Sequence, residues 1–186
     1  MIDATTRPAA GGYTPTAKAL HWIVAVLVIG LIAVGIGREF MPKGPTRDLV
    51  TGLHKATGIV VMVLMFVRIR HRIANPPPPP EPGLPSWQVG LSHQTHWLLY
   101  LILLVMPMIG WLGSNALGRP VSMYGLFDLP TLTAEDKPFG EALYTAHGVL
   151  GYSLLALVVI HVGAALHHHF GRKDATLMRM TSEPAR

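Results

Sequence analysis

Four long apolar runs, separated by polar or proline-rich stretches, set the pattern of this chain: Ala19 to Gly37, Leu49 to Val67, His96 to Gly113 and Tyr144 to Leu166. A helix rises about 1.5 Å per residue, so each run has roughly the length needed to cross a hydrocarbon core of about 30 Å. The pattern predicts an all-α fold, a transmembrane four-helix bundle forming a single membrane domain over residues 1–186, with spans at 19–37, 49–67, 96–113 and 144–166. The first run is long enough to span, and no small-residue cleavage site follows it. We therefore expect it to be a retained helix rather than a signal peptide.

The polar segments set the expected orientation. Residues 1–18, the proline-rich loop 68–95 and the tail 170–186 share one side and carry nine Lys and Arg, against six on the other side, where Asp128, Glu135, Asp136 and Glu141 also gather. Positive residues favour the cytoplasm, so both termini are expected there, with 114–143 as an ordered periplasmic loop. The run NPPPPPEPGLP, Asn75 to Pro85, lacks backbone donors and reads as a stiff polyproline spacer or, alternatively, as an SH3-type ligand. Pro107 falls inside the third run, where neighbouring groups can satisfy a carbonyl freed by a kink.

Composition narrows the chemistry. There is no cysteine, which excludes disulfides, thiolate-held iron-sulfur clusters and covalent haem attachment through C-x-x-C-H. The net charge of +5 follows from the basic loops and calls for no nucleic-acid partner; membrane lipid is the expected surrounding.

Ten histidines remain, and an ionisable residue at membrane depth is by default a functional-site hypothesis. His21 opens the first run, His54 and His147 lie near the starts of the second and fourth, and His161 follows His147 by fourteen residues. Because successive helices alternate in direction, His54 and His147 share one level. His161, about 21 Å further along the same helix and within about 40° of the same face, returns to the level of His21. Two cross-helix pairs follow, His21 with His161 and His54 with His147.

Two imidazoles without a neighbouring carboxylate or cysteine suit the axial positions of a haem iron, whereas zinc normally takes three or four protein ligands. Gly30, Gly35, Gly37, Gly52, Gly58, Gly148, Gly151 and Gly163 offer space for a flat group or for close helix packing. Arg38, Lys55 and Arg68 are placed either to meet propionates or to snorkel to the interface. His93 and His96 admit metal binding, quinone contact, proton transfer or a polar interfacial cap. His167, His168 and His169 read as interfacial anchors, and His71 belongs to the basic loop. A histidine-lined transporter without haem is the rival from another class.

The segments ALHWIVAVLVIGL, LHKATGIVVMVLMFVRIRHR, LSHQTHWLLYLILLVMPMIGWL, AHGVLGY and IHVGAALHHHF, followed by KDATLMRM, resemble the bacterial di-haem cytochrome b561 family of small four-helix inner-membrane electron carriers. Its ligand motifs fall on His21 in LHW, His54 in LHK, His147 in AHG and His161 in IHV. The resemblance implies two non-covalent haem b groups with iron held by these four residues, transmembrane electron transfer as an oxidoreductase or electron carrier, and quinone as acceptor. Relatives of this kind include a superoxide-oxidising quinone reductase. They also include haem b anchor subunits that relay electrons from a soluble dehydrogenase or hydrogenase, a redox partner that GRPVSMYGLFDLP leaves open.

Overall fold

The computed structural model describes residues 12–181. Four long helices make up most of it: α1 Pro15–Gly37, α2 Pro45–Ala74, α3 Ser86–Ala116 and α4 Lys137–Leu166. Each is long and apolar enough to cross a membrane. Their starts are written locally: Thr14 accepts a hydrogen bond from the Ala17 amide and Asp136 from the Phe139 amide, and Pro15, Pro45 and Pro138 sit in first turns where no donor is needed. The helices overrun the apolar runs. α2 continues through the basic RIRHR segment and α3 begins ten residues before His96, because nothing there breaks a helix until Asn75 and Pro85. Pro107 interrupts neither end of α3.

A central layer of Val24, Val28, Val61, Met65, Leu99, Tyr100, Ile102 and Leu154 draws on all four helices and holds them at mid-height. α3 lies closest to α4. At that crossing a Cβ on Gly113 would stand 3.1 Å from Leu143 Cβ, and one on Gly140 would stand 2.7 Å from Leu117 Cγ. By contrast, α1 and α4 touch only sparsely. The bundle is thus tight on one side and open along the seam where α1 and α2 face α4.

Beyond α4 the helix widens into a π-helical turn, His167–Arg172, which the chain leaves through Lys173 in the left-handed region (φ 57°) before a short helix, α5 Met178–Thr181. Asp174 fastens this turn: its Oδ2 lies 2.6 Å from His168 Nδ1 and 3.4 Å from Arg172 Nε, and its Oδ1 accepts from the Thr176 amide. The tail then crosses the bundle end. Arg179 pairs with Glu81 at 2.8 Å and donates to the Pro79 carbonyl, while Trp22 Nε1 donates to the Met180 carbonyl. The proline run is therefore docked by the tail.

Two predictions follow from these contacts. Gly113→Val should overpack a crossing where the opposing atom is a Cβ that cannot swing away, costing about 1–3 kcal/mol and lowering the melting temperature in detergent. Burial alone would raise the Asp174 carboxyl, but hydrogen bonds from His168 and Thr176 outweigh it and hold the group at about 2. A depressed carboxyl stabilises above its unfolded value, so protection of the Thr176 amide from hydrogen exchange should be complete above about pH 4 and lost as pH falls towards 2.

Candidate functional site

The helix directions bring four histidines into two pairs. At the end of the bundle where α1 starts and α4 finishes, His21 and His161 have ring centroids 6.2 Å apart with planes at 59°; at the far end, His54 and His147 stand 6.1 Å apart at 69°. Metal–nitrogen bonds of about 2.0 Å, added to about 1.1 Å from nitrogen to ring centre on each side, put two imidazoles that share one ion about 6.2 Å apart, centre to centre. Both pairs have that separation. Among the described residues no group of three or more His, Asp or Glu converges in a way that could hold a metal ion, so neither level resembles a zinc centre.

At the far pair, His147 Nδ1–H donates to the Met106 carbonyl at 3.2 Å, since a carbonyl can only accept. This leaves Nε2 with a free lone pair. Gly110 makes the approach possible: a Cβ there would lie 3.2 Å from both Cε1 and Nδ1 of His147. A Cβ on Gly35 would stand at ordinary contact distance, 3.4 Å, from Cε1 of His54. His54 Nδ1 is buried without a hydrogen-bond partner. A cavity of about 210 Å³ opens beside the two rings, lined by both of them and by Gly58, Gly148 and Gly151. Around Gly58 and Gly148 a Cβ would meet nothing within 4 Å, so this space is left empty by missing side chains. Arg38, Lys55 and Arg119 line the same cavity. Arg38 donates to the Tyr144 hydroxyl, and Lys55 donates to Ser114 Oγ at 3.1 Å and the Pro120 carbonyl at 2.7 Å.

The other pair has a different setting. Arg68 Nη2, which can only donate, lies 2.9 Å from His21 Nδ1. The Arg68 and Arg72 guanidiniums lie 5.5 and 5.7 Å from the ring centre of buried Tyr100. His96 of α3 stands edge-on to His161, ring centres 5.4 Å apart, so a third imidazole joins this level. His93 is exposed, one turn away from that cluster. His168 is engaged by Asp174 in the π-helical turn, and His71 lies 3.4 Å from Thr14 Oγ1.

Residues 12–183 match the model of the prokaryotic cytochrome b561 family. The chain belongs to that family. Cytochrome b561 homolog 2 of Escherichia coli K12 is 33% identical over 175 residues, covering 90% of each chain; homolog 1 of the same strain is 35% identical over 173 residues, covering 90% of this chain and 96% of its own. A Yersinia pestis protein named as a probable superoxide oxidase is 32% identical over 161 residues, covering 87% of this chain and 90% of its own. A cytochrome b561 protein is a bacterial multi-pass membrane protein that transfers electrons and takes haem b as its cofactor. The buried, unpartnered His54 Nδ1, the matched ring separations and the cavity cradled by glycines fit such a group.

Sequence reasoning alone missed Gly110, Met106 and Tyr100. A glycine three residues after Pro107 in an apolar helix was a visible signal. Its contact with His147 was not, because it depends on how α3 and α4 cross.

Proposed function

We propose that His54 with His147 and His21 with His161 each hold one non-covalent haem b, and that the chain carries electrons between the two levels to a quinone acceptor. The termini and the His21–His161 level face the cytoplasm in this reading, as the basic loops favour. When bound, haem supplies reversible one-electron chemistry at its iron. The chain's own part would be to offer two imidazoles to each iron, which would leave no coordination site for substrate and favour outer-sphere transfer. One helix, α4, carries a ligand of each pair, fixing the separation at fourteen residues, about 21 Å.

The second nitrogen of each ligand differs in its surroundings. Met106 orients His147 through Nδ1–H, whereas Arg68 donates to the same atom of His21, which puts that ring's proton on Nε2, so ligation through His21 Nε2 requires the Arg68 contact to give way. Such contacts tune the ligand, so the two levels should differ in potential. Arg38, Lys55 and Arg119 put positive charge beside the far cavity, where it would suit the carboxylates of a bound haem. The observation that carries the reading is the pair of ring separations, 6.1 and 6.2 Å, at opposite ends of one bundle. The name of the Yersinia pestis relative gives superoxide as one electron donor to assay.

Single substitutions test the pairing. His54→Ala and His147→Ala should each abolish the same spectral species, and His21→Ala and His161→Ala the other, with haem content per chain falling by about half in every case. Loss of one common species in His54→Ala and His161→Ala would overturn the pairing. Gly110→Val should displace His147 from Met106 and weaken haem retention at that level by about tenfold in a haem titration, the range seen when an outer partner of a metal ligand is lost.

A further inference from the structure

After α3 the chain does not stay outside the bundle end. It turns at Gly118 and forms a small hairpin in which Ser122 pairs with Asp128, Met123 N–H donates to the Phe127 carbonyl at 2.7 Å, Leu126 N–H to the Met123 carbonyl, and Leu129 N–H to the Val121 carbonyl. Tyr124 and Gly125, at φ 56° and 78°, form its tight turn, in the arrangement expected for a two-residue hairpin loop. A tyrosine in that region is strained by roughly 1–2 kcal/mol. Its hydroxyl is tied to Thr57 Oγ1 of α2 at 3.1 Å.

What matters is how deep this hairpin reaches. Val121, 1% exposed, is buried with Ile59 and Met62, and Met123 and Leu129 pack on the same cluster. Ile59 and Met62 stand near the middle of α2, about 21 and 26 Å from its Pro45 end, and the apolar run Leu49 to Val67 is centred on Gly58. With a hydrocarbon half-thickness of about 15 Å, atoms in contact with these residues lie well inside the membrane. The chemistry of the segment agrees. VSMYGLF, Val121 to Phe127, carries no charge, the Met123 and Leu126 amides and the Val121, Met123 and Phe127 carbonyls are paired within the hairpin, and Leu126 (82% exposed) and Phe127 (59%) stand on its outside. On α2, Val63 and Phe66 are likewise exposed apolar side chains.

We infer that residues 121–127 form a re-entrant hairpin whose apex, Leu126 and Phe127, inserts among lipid acyl chains of the far leaflet while its inner face walls off the cavity beside His54 and His147. Val121 lines that cavity, so one residue layer separates it from lipid. The inference rests on the membrane helices and not on haem or quinone.

The cysteine-free chain makes the test direct. Full-length Leu126→Cys and Phe127→Cys are labelled with bimane in phosphatidylcholine nanodiscs, beside a lipid-facing reference, Val63→Cys, and an aqueous reference, Ala134→Cys, whose haem spectra confirm folding. Quenching by doxyl-labelled lipid that matches Val63→Cys at either apex position, with little quenching by iodide, supports insertion. Iodide quenching that matches Ala134→Cys at both positions overturns it.

Discussion

A ring nitrogen of imidazole placed in hydrocarbon is costly without a partner, and that cost shapes this bundle. Four histidines stand at membrane depth, and the fold answers by bringing them together from different helices at two heights, with ring planes inclined at 59° and 69°. The tight α3–α4 crossing at Gly113 and Gly140 and the open seam where α1 and α2 face α4 are two sides of the same design. Close packing on one side fixes α4 in place. The seam then leaves its ring-bearing face free to meet His21 and His54.

The two levels are built differently although one helix serves both. The far level is spacious, one ring admitted by Gly110 and oriented by a backbone carbonyl, with Arg38, Lys55 and Arg119 lining its cavity. At the other level Arg68, Arg72, Tyr100 and His96 surround the rings, and the tail and proline run, joined by Arg179, lie across the same end of the bundle. A positive charge close to a redox centre disfavours its more oxidised form, and enclosure by low-dielectric side chains adds to the effect. In the two-haem reading proposed above, these settings would separate the two potentials.

Much of this was legible in the sequence. Apolar run length gave four helices, and helix rise with alternating direction gave both histidine pairs, since those inferences need only local geometry. The helix ends were less legible: RIRHR and the segment before His96 are polar, and hydropathy ends a span where the backbone simply continues. His96 was visible as a histidine, but its place beside His161 depends on the rotation of α3. The hairpin was hidden for the same reason. VSMYGLF reads as a loop, and only its packing against Ile59 and Met62 reveals its depth. Of the eight glycines that suggested space for a flat group, Gly58, Gly148 and Gly151 line the cavity together with Gly35, while nothing lies within 4 Å of where a Cβ would stand on Gly30, Gly37, Gly52 or Gly163.

The central claim is that each imidazole pair clasps its own iron. Low-temperature electron paramagnetic resonance of the oxidised purified protein, with spins counted against protein, tests it most directly. The account predicts two distinct low-spin ferric signals of bis-imidazole type, one spin each per chain. A single signal at one spin per chain, or a stoichiometric high-spin signal from an iron lacking one axial imidazole, would contradict it.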